Sequence, residues 1–181
     1  MREEVYMAGL GGQGILLAGQ VLAQTGVDVG YEASWVPSYS PEVRGGEANC
    51  TVVLADGRVG SPICGHPRVM LLMDPRSVRK YLRECAPGGI AIINPDLGEV
   101  EADRKDLRIL YVPVTSIAKE LGNEMCANMV MLGAYLQAVR PDLIEAAIKA
   151  LSTVLPERRR KTIPMNSEAI RRGAQAVAEL S

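Results

Sequence analysis

Gly9-Leu10-Gly11-Gly12-Gln13-Gly14 follows the short apolar run Glu4 to Ala8 and precedes residues with helical periodicity, so it reads as the turn of a strand-turn-helix unit. Each glycine has a separate reason in the G-x-G-x-x-G spacing. Gly9 permits a tight turn, Gly11 lets a ligand approach the backbone, and Gly14 lets the next helix pack close to the strand. Ile15, Leu16, Ala18, Gly19, Leu22 and Ala23 form the buried stripe of a helix from Gln13 to Thr25, with Gly26 as its stop. The amino end of that helix would face the turn, where an anion can be held.

A dinucleotide site also needs a carboxylate about 20 residues further on, at the tip of the second strand. Glu32, at the end of a strand read from Val27 to Ala33, is near that place. A tight strand-helix junction without any ligand explains the glycines equally well.

Working outward, Ala48 to Leu54 is rich in β-formers, and Asp56-Gly57 before Arg58 to Gly60 reads as a hairpin turn. Val69 to Met73 is a short buried strand, after which Asp74 can cap and Pro75 can start a helix. Ile90 to Ile93 and Ile109 to Val114 are two further strands, and Thr115 or Ser116 is positioned to cap a short helix ending near Gly122. Met125 to Val139 is apolar almost all round, the pattern of a helix buried on more than one side, and a partner subunit is one way to bury it. Pro141 begins another helix, Ser167 can cap a last one, and Pro156 to Pro164 is a basic connection between them. Alternating strands and helices predict one domain over residues 1–181. Its fold class is a three-layer α/β/α sandwich, with a mainly parallel sheet and an antiparallel hairpin excursion.

The composition narrows the function classes. Twenty Lys plus Arg against 21 Asp plus Glu, for a net charge of −1, give no broad footprint for nucleic acid or an anionic membrane. Arg158-Arg159-Arg160-Lys161 is the local exception, read as a solvated loop or salt-bridge site in preference to a phosphate patch. No apolar stretch is long enough to cross a bilayer and residues 1 to 20 lack a secretory pattern, so a cytoplasmic protein is expected. Cys50, Cys64, Cys85 and Cys126 form no C-x-x-C pair, which favours buried, reduced thiols over a zinc or iron-sulfur site. His66 is the only imidazole and has no nucleophile near it in sequence, so no catalytic residue and no metal ligand is assigned.

A second stretch, Ser38-Tyr39-Ser40-Pro41-Glu42-Val43-Arg44-Gly45-Gly46, presents Arg44 between a proline-constrained turn and two glycines. The guanidinium suits a carboxylate or phosphate, or it pairs with Glu42 while Gly45 and Gly46 serve only a bend. Trp35 and Tyr39 form an aromatic wall at a subunit contact, or they cover the sheet edge. The candidate ligand-facing residues are therefore Gly9, Gly11, Gly12, Gln13, Gly14, Arg44, Gly45 and Gly46.

Both glycine stretches, together with Ala48-Asn49-Cys50, Ser61-Pro62 and Asn128-Met129-Val130 in that order, resemble the gamma subunit of the 2-oxoacid:ferredoxin oxidoreductases. Glu47-Ala48-Asn49-Cys50 after Arg44-Gly45-Gly46 resembles the 2-oxoglutarate branch more than the pyruvate branch. The resemblance runs over roughly residues 4 to 140. It implies a complex in which thiamine diphosphate with Mg2+ decarboxylates a 2-oxoacid, coenzyme A accepts the acyl group, and iron-sulfur clusters pass electrons to ferredoxin. This chain has neither a Gly-Asp-Gly segment nor a cysteine cluster, so the resemblance places those cofactors on alpha, beta and ferredoxin-like delta companions. Two other readings stand beside it: a free-standing dinucleotide-binding oxidoreductase, and an assembly module whose loops only pack on neighbours.

Overall fold

The computed structural model describes residues 1–39, 46–62, 64–100 and 102–180. Six strands form one sheet: β1 (Arg2–Leu10), β2 (Glu32–Tyr39), β3 (Glu47–Ala55), β4 (Val69–Leu72), β5 (Ile90–Ile93) and β6 (Arg108–Tyr111). Their order is β2-β3-β1-β4-β5-β6. β1, β4, β5 and β6 pair in parallel, whereas β3 is antiparallel to both β1 and β2. The sheet is thus α/β with an antiparallel excursion, but the excursion lies elsewhere than the Asp56-Gly57 signal suggested. Its two arms are β2 and β3, and residues 56–60 form no strand.

The helices are α1 (Ile15–Asp28), α2 (Pro75–Tyr81), α3 (Val114–Glu120), α4 (Ala127–Val139), α5 (Ile144–Val154) and α6 (Ile163–Ala178). One core joins the sheet to α1, α3, α4, α5 and α6, and includes Val5, Met7, Leu22, Leu54, Met129, Leu132, Leu151 and Ile170. A smaller one on the opposite face packs Val78 and Leu82 against Ala8, Met70, Leu72 and Ile93. The three layers follow from alternation within the strands: Leu71 faces the larger core while Met70 and Leu72 face the smaller.

Several helix ends differ from the sequence expectation. α1 runs through Gly26, which is buried so close to Leu54 that a Cβ there would strike it. The stop is Gly30, at φ +94°, with the Gly30 and Tyr31 amides returning to the carbonyls of Val27 and Gly26. Of the segment read as a strand from Val27 to Ala33, Val27 and Asp28 therefore belong to the helix, Val29 to Tyr31 to the turn after it, and only Glu32 and Ala33 to β2. Asp74 caps α2 as expected, accepting from the amides of Arg76 and Ser77 at 2.9 and 3.2 Å. Neither Thr115 nor Ser116 caps α3; Asp96 accepts from the Ser116 amide and hydroxyl. Ser167 lies inside α6 and donates to the Ile163 carbonyl, while the stretch read as a loop, Glu157–Thr162, is a 3-10 helix.

α4 is buried from Ala127 to Leu136, as its all-round apolarity predicts, but among the described residues α6 and its neighbours bury it without a partner chain. The α4–α6 crossing is close because Gly133 faces the Ile170 backbone and Gly173 faces that of Val130. Below it, the Tyr135 hydroxyl donates to Glu3, and Arg140 reaches Glu3 at 3.3 Å, the Tyr31 hydroxyl at 3.1 Å and Asp142 at 2.7 Å. Glu3 and Arg140 side chains are only 10% and 11% exposed, so their pair has little access to water, whereas Asp142 is 60% exposed. No helix among the described residues is long and apolar enough to cross a membrane.

Candidate functional site

β1 delivers the chain to the glycine turn at the carboxyl ends of the parallel strands, the edge where open α/β sheets hold ligands. The turn is fixed by short contacts. The Gln13 amide donates to the Leu10 carbonyl at 3.1 Å, and the Gln13 side-chain oxygen accepts from the Leu10 amide at 2.7 Å. Gly9 lies under that side chain, with no room for a Cβ. Gln13 is thus a strut of the turn. Gly11 donates to the Gly46 carbonyl at 2.7 Å, tying the turn to the start of β3.

Gly12 and Gly14 have φ of +93° and +74°, the left-handed region in which a side chain is strained. Gly12 has open space around it, whereas a Cβ on Gly14 would run into the Asn128 amide. Asn128, at the start of α4, donates from Nδ2 to the Gly14 carbonyl at 3.0 Å. α1 therefore begins on a residue without a capping side chain, and the amide donors of its first turn are left for another acceptor.

That amino end opens into a cleft of about 590 Å3, lined among others by Gly11, Gly12, Gly14, Asn123, Asn128 and Arg159. Among the described residues Arg159 is the one charged side chain of the lining, and no carboxylate shares it. A second hollow of about 210 Å3 lies beyond Gly12 and Gln13, beside Met73, Leu97 and Thr115. Met125, 72% exposed, borders both. Cys126 also lines the cleft; its thiol donates to the Asn123 carbonyl at 2.9 Å, and burial pushes its pKa up.

The structure brings Gly11, Gly12 and Gly14 to one wall of the cleft, with Gly46 bonded behind it. Arg44 and Gly45 lie outside the described residues, as does Glu42. Glu32 is at the wrong end for a dinucleotide. It opens β2 opposite Ala55, which also pairs with Arg2, whereas the turn follows Leu10 at the other end of β1. Eight strand steps of about 3.3 Å separate the two levels by about 26 Å. The Glu32 carboxylate instead accepts from the Val59 amide at 3.2 Å. Trp35 is half-buried, packing against Gly19 and the larger core from edge strand β2, which is the sheet-covering role. His66 is exposed, its Nδ1 3.3 Å from the Glu84 carbonyl oxygen. Burial drives the Cys50 thiol up to about 12 and, with Glu4 beside it, the Cys64 thiol up to about 11. Among the described residues no three His, Cys, Asp or Glu stand together as a metal-ion set.

Sequence reasoning does not bring Asn123, Asn128 or Met125 to the cleft, and it reads the run holding Arg159 as a solvated loop or salt-bridge site in preference to a phosphate patch. A signal existed for one of them: an Asn at the head of an otherwise apolar, buried helix must find a partner, and Asn128 finds the glycine turn.

The sequence profile described as "Pyruvate ferredoxin/flavodoxin oxidoreductase" matches residues 4–176. The ketoisovalerate oxidoreductase subunit VorA of Methanothermobacter thermautotrophicus is 33% identical over 97% of this chain, which spans only 36% of that protein. The 2-oxoglutarate synthase subunit KorC of Methanothermobacter marburgensis is 32% identical over 86% of this chain and 88% of its own length. In structure, the keto/oxoacid ferredoxin oxidoreductase gamma subunit of Geobacter sulfurreducens superposes with a TM-score of 0.85 at 27% identity, covering 99% of this chain and 98% of that one. A chain of the 2-oxoglutarate:ferredoxin oxidoreductase of Magnetococcus marinus, solved with 2-oxoglutarate, coenzyme A and succinyl-CoA bound, shares the fold at TM-score 0.83 and 20% identity. This chain covers 32% of it and is itself covered over 99%. With the profile matching nearly end to end, the chain belongs to the pyruvate ferredoxin/flavodoxin oxidoreductase family.

Proposed function

We propose that this chain is the gamma component of a cytoplasmic 2-oxoacid:ferredoxin oxidoreductase acting on 2-oxoglutarate, and that its glycine turn forms part of the coenzyme A site. The observation that carries the reading is the cleft. It stands at the carboxyl ends of the parallel strands, is fed by the uncapped amino end of α1, and among the described residues has one cation and no carboxylate in its lining. Backbone donors arranged in this way suit a diphosphate. The match to KorC over most of both chains supports the 2-oxoglutarate assignment.

In this reading thiamine diphosphate with Mg2+, and the iron-sulfur clusters, sit on alpha, beta and ferredoxin-like delta companions, where they supply the decarboxylation and the electron path to ferredoxin. This chain contributes binding and orientation as a single unit over residues 1–181. Gly12 and Gly14 let the backbone approach a phosphate, Gln13 and Asn128 hold the turn, and the guanidinium of Arg44, followed in sequence by Gly45 and Gly46, is by its chemistry a further phosphate or carboxylate partner. Such positioning raises the rate by fixing the acyl acceptor relative to the reacting carbon.

The test is to coexpress the chain with its neighbouring gene products, purify the assembly, and follow 2-oxoglutarate-dependent, coenzyme A-dependent viologen reduction. Full turnover by an assembly lacking this chain overturns the reading.

A further inference from the structure

The run Arg158-Arg159-Arg160-Lys161 remains unexplained by the turn itself. It lies in the 3-10 helix Glu157–Thr162, with all four side chains exposed, and among the described residues none of the four makes an ion pair. Two arginines of α6 behave differently: Arg171 pairs with Glu145 of α5 and Arg172 with Glu120 of α3. Four adjacent unpaired cations repel one another, and an anion relieves that cost.

Arg159 differs from the other three in lining the cleft. Its backbone is also tied down: its amide donates to the Pro156 carbonyl at 2.7 Å and its carbonyl accepts from the Thr162 hydroxyl at 2.7 Å. Thr162 in turn accepts from the Asn166 amide at 3.1 Å, anchoring the 3-10 helix to α6. A long cationic side chain on a held backbone, with no ion pair among the described residues, thus lines the same cleft as the glycine turn.

The cleft therefore offers two chemically different anion zones. The turn supplies neutral backbone donors and a partial positive charge, suited to a diphosphate diester. The rim supplies a full positive charge, reinforced by three more, suited to a terminal phosphate dianion. Coenzyme A carries both groups, a diphosphate and a separate 3′-phosphate on its ribose. We propose that Arg159 binds the 3′-phosphate and sets the preference for coenzyme A over its 3′-dephospho form. This rests on the coenzyme A reading above.

The test uses the assembled complex without 2-oxoacid, titrated calorimetrically with coenzyme A and with 3′-dephospho-coenzyme A, for the unaltered protein, Arg159→Ala, Arg159→Gln and Arg158→Ala. A lost charge-assisted hydrogen bond weakens binding about tenfold or more. The unaltered complex should prefer coenzyme A by at least about that factor, and both Arg159 variants should lose the preference while binding the dephospho form as before. Arg158→Ala should keep most of the discrimination. Equal weakening toward both ligands, or no change in their ratio, overturns the proposal even if coenzyme A binds. Absence of any coenzyme A binding by the unaltered complex removes the underlying reading as well.

Discussion

Replacing Gly14 by Ala tests how the glycine turn is held. The left-handed φ costs an L-residue about 1–2 kcal/mol, and the new methyl displaces the Asn128 amide from the Gly14 carbonyl. That lost hydrogen bond adds about 0.5–1.5 kcal/mol. Restricting the unfolded chain returns about 0.4–1 kcal/mol. The net is about 2 kcal/mol, or a fall in Tm of about 4–8 °C for a chain of this size. Gly12→Ala is the control, since its φ is also positive but nothing lies in the path of its Cβ. It should cost only the strain, a fall of about 2–4 °C. Thermal unfolding followed by circular dichroism on Gly14→Ala, Asn128→Ala and the double variant should show a coupling of about 1 kcal/mol. If Gly14→Ala matches Gly12→Ala and its effect adds fully to that of Asn128→Ala, the link between turn and helix is not the constraint described.

Gly133→Ala or Gly173→Ala drives a methyl into the opposite helix backbone and should destabilise by about 3 kcal/mol or more; a Tm within about 2 °C of the unaltered protein contradicts the close α4–α6 crossing. Arg140→Ala leaves Glu3 and its Tyr135 donor without their cation, at a cost of about 3–5 kcal/mol measurable by urea unfolding. The Arg140 hydrogen bond also holds the Asp142 carboxyl below its usual range, so it stabilises the fold above about pH 4 and loses that effect as pH falls through the lowered value. The Arg140 variant should therefore show a flatter acid limb in its Tm profile, and an unchanged limb argues against it. Cys50 is held as a thiol by burial, with a folded value of about 12 against about 8.5 unfolded. Stability from that site is present below about pH 8.5 and lost as pH rises toward 12, and native Cys50 should resist a disulfide-exchange reagent at pH 8. Labelling at the rate of a free thiol refutes it.

The parallel half of the sheet was legible because its strands are short apolar runs bounded by Asp-Pro and Gly signals, and Asp74 announced its own cap. The antiparallel half was not. Local turn chemistry at Asp56-Gly57 pointed to a hairpin, yet β3 pairs with strands on either side of it, a long-range choice that short windows do not encode. Gly26 misled for a related reason: it serves close packing against Leu54, while the positive φ that ends the helix belongs to Gly30. At the site, the glycine spacing gave one wall. Asn128 and Arg159 come from segments more than a hundred residues away, so only the fold joins them to the turn.

Asn128 is seated at the head of a helix that has almost no face toward water, and it grips the turn through that helix. The turn cannot shift without either breaking this grip or dragging a core element with it. On the proposed coenzyme A reading, an arriving phosphate would meet donors already aimed, and the chain would surrender little freedom on binding it. The cost of rigidity has been met at folding, so affinity at this wall and resistance to heat should rise and fall together.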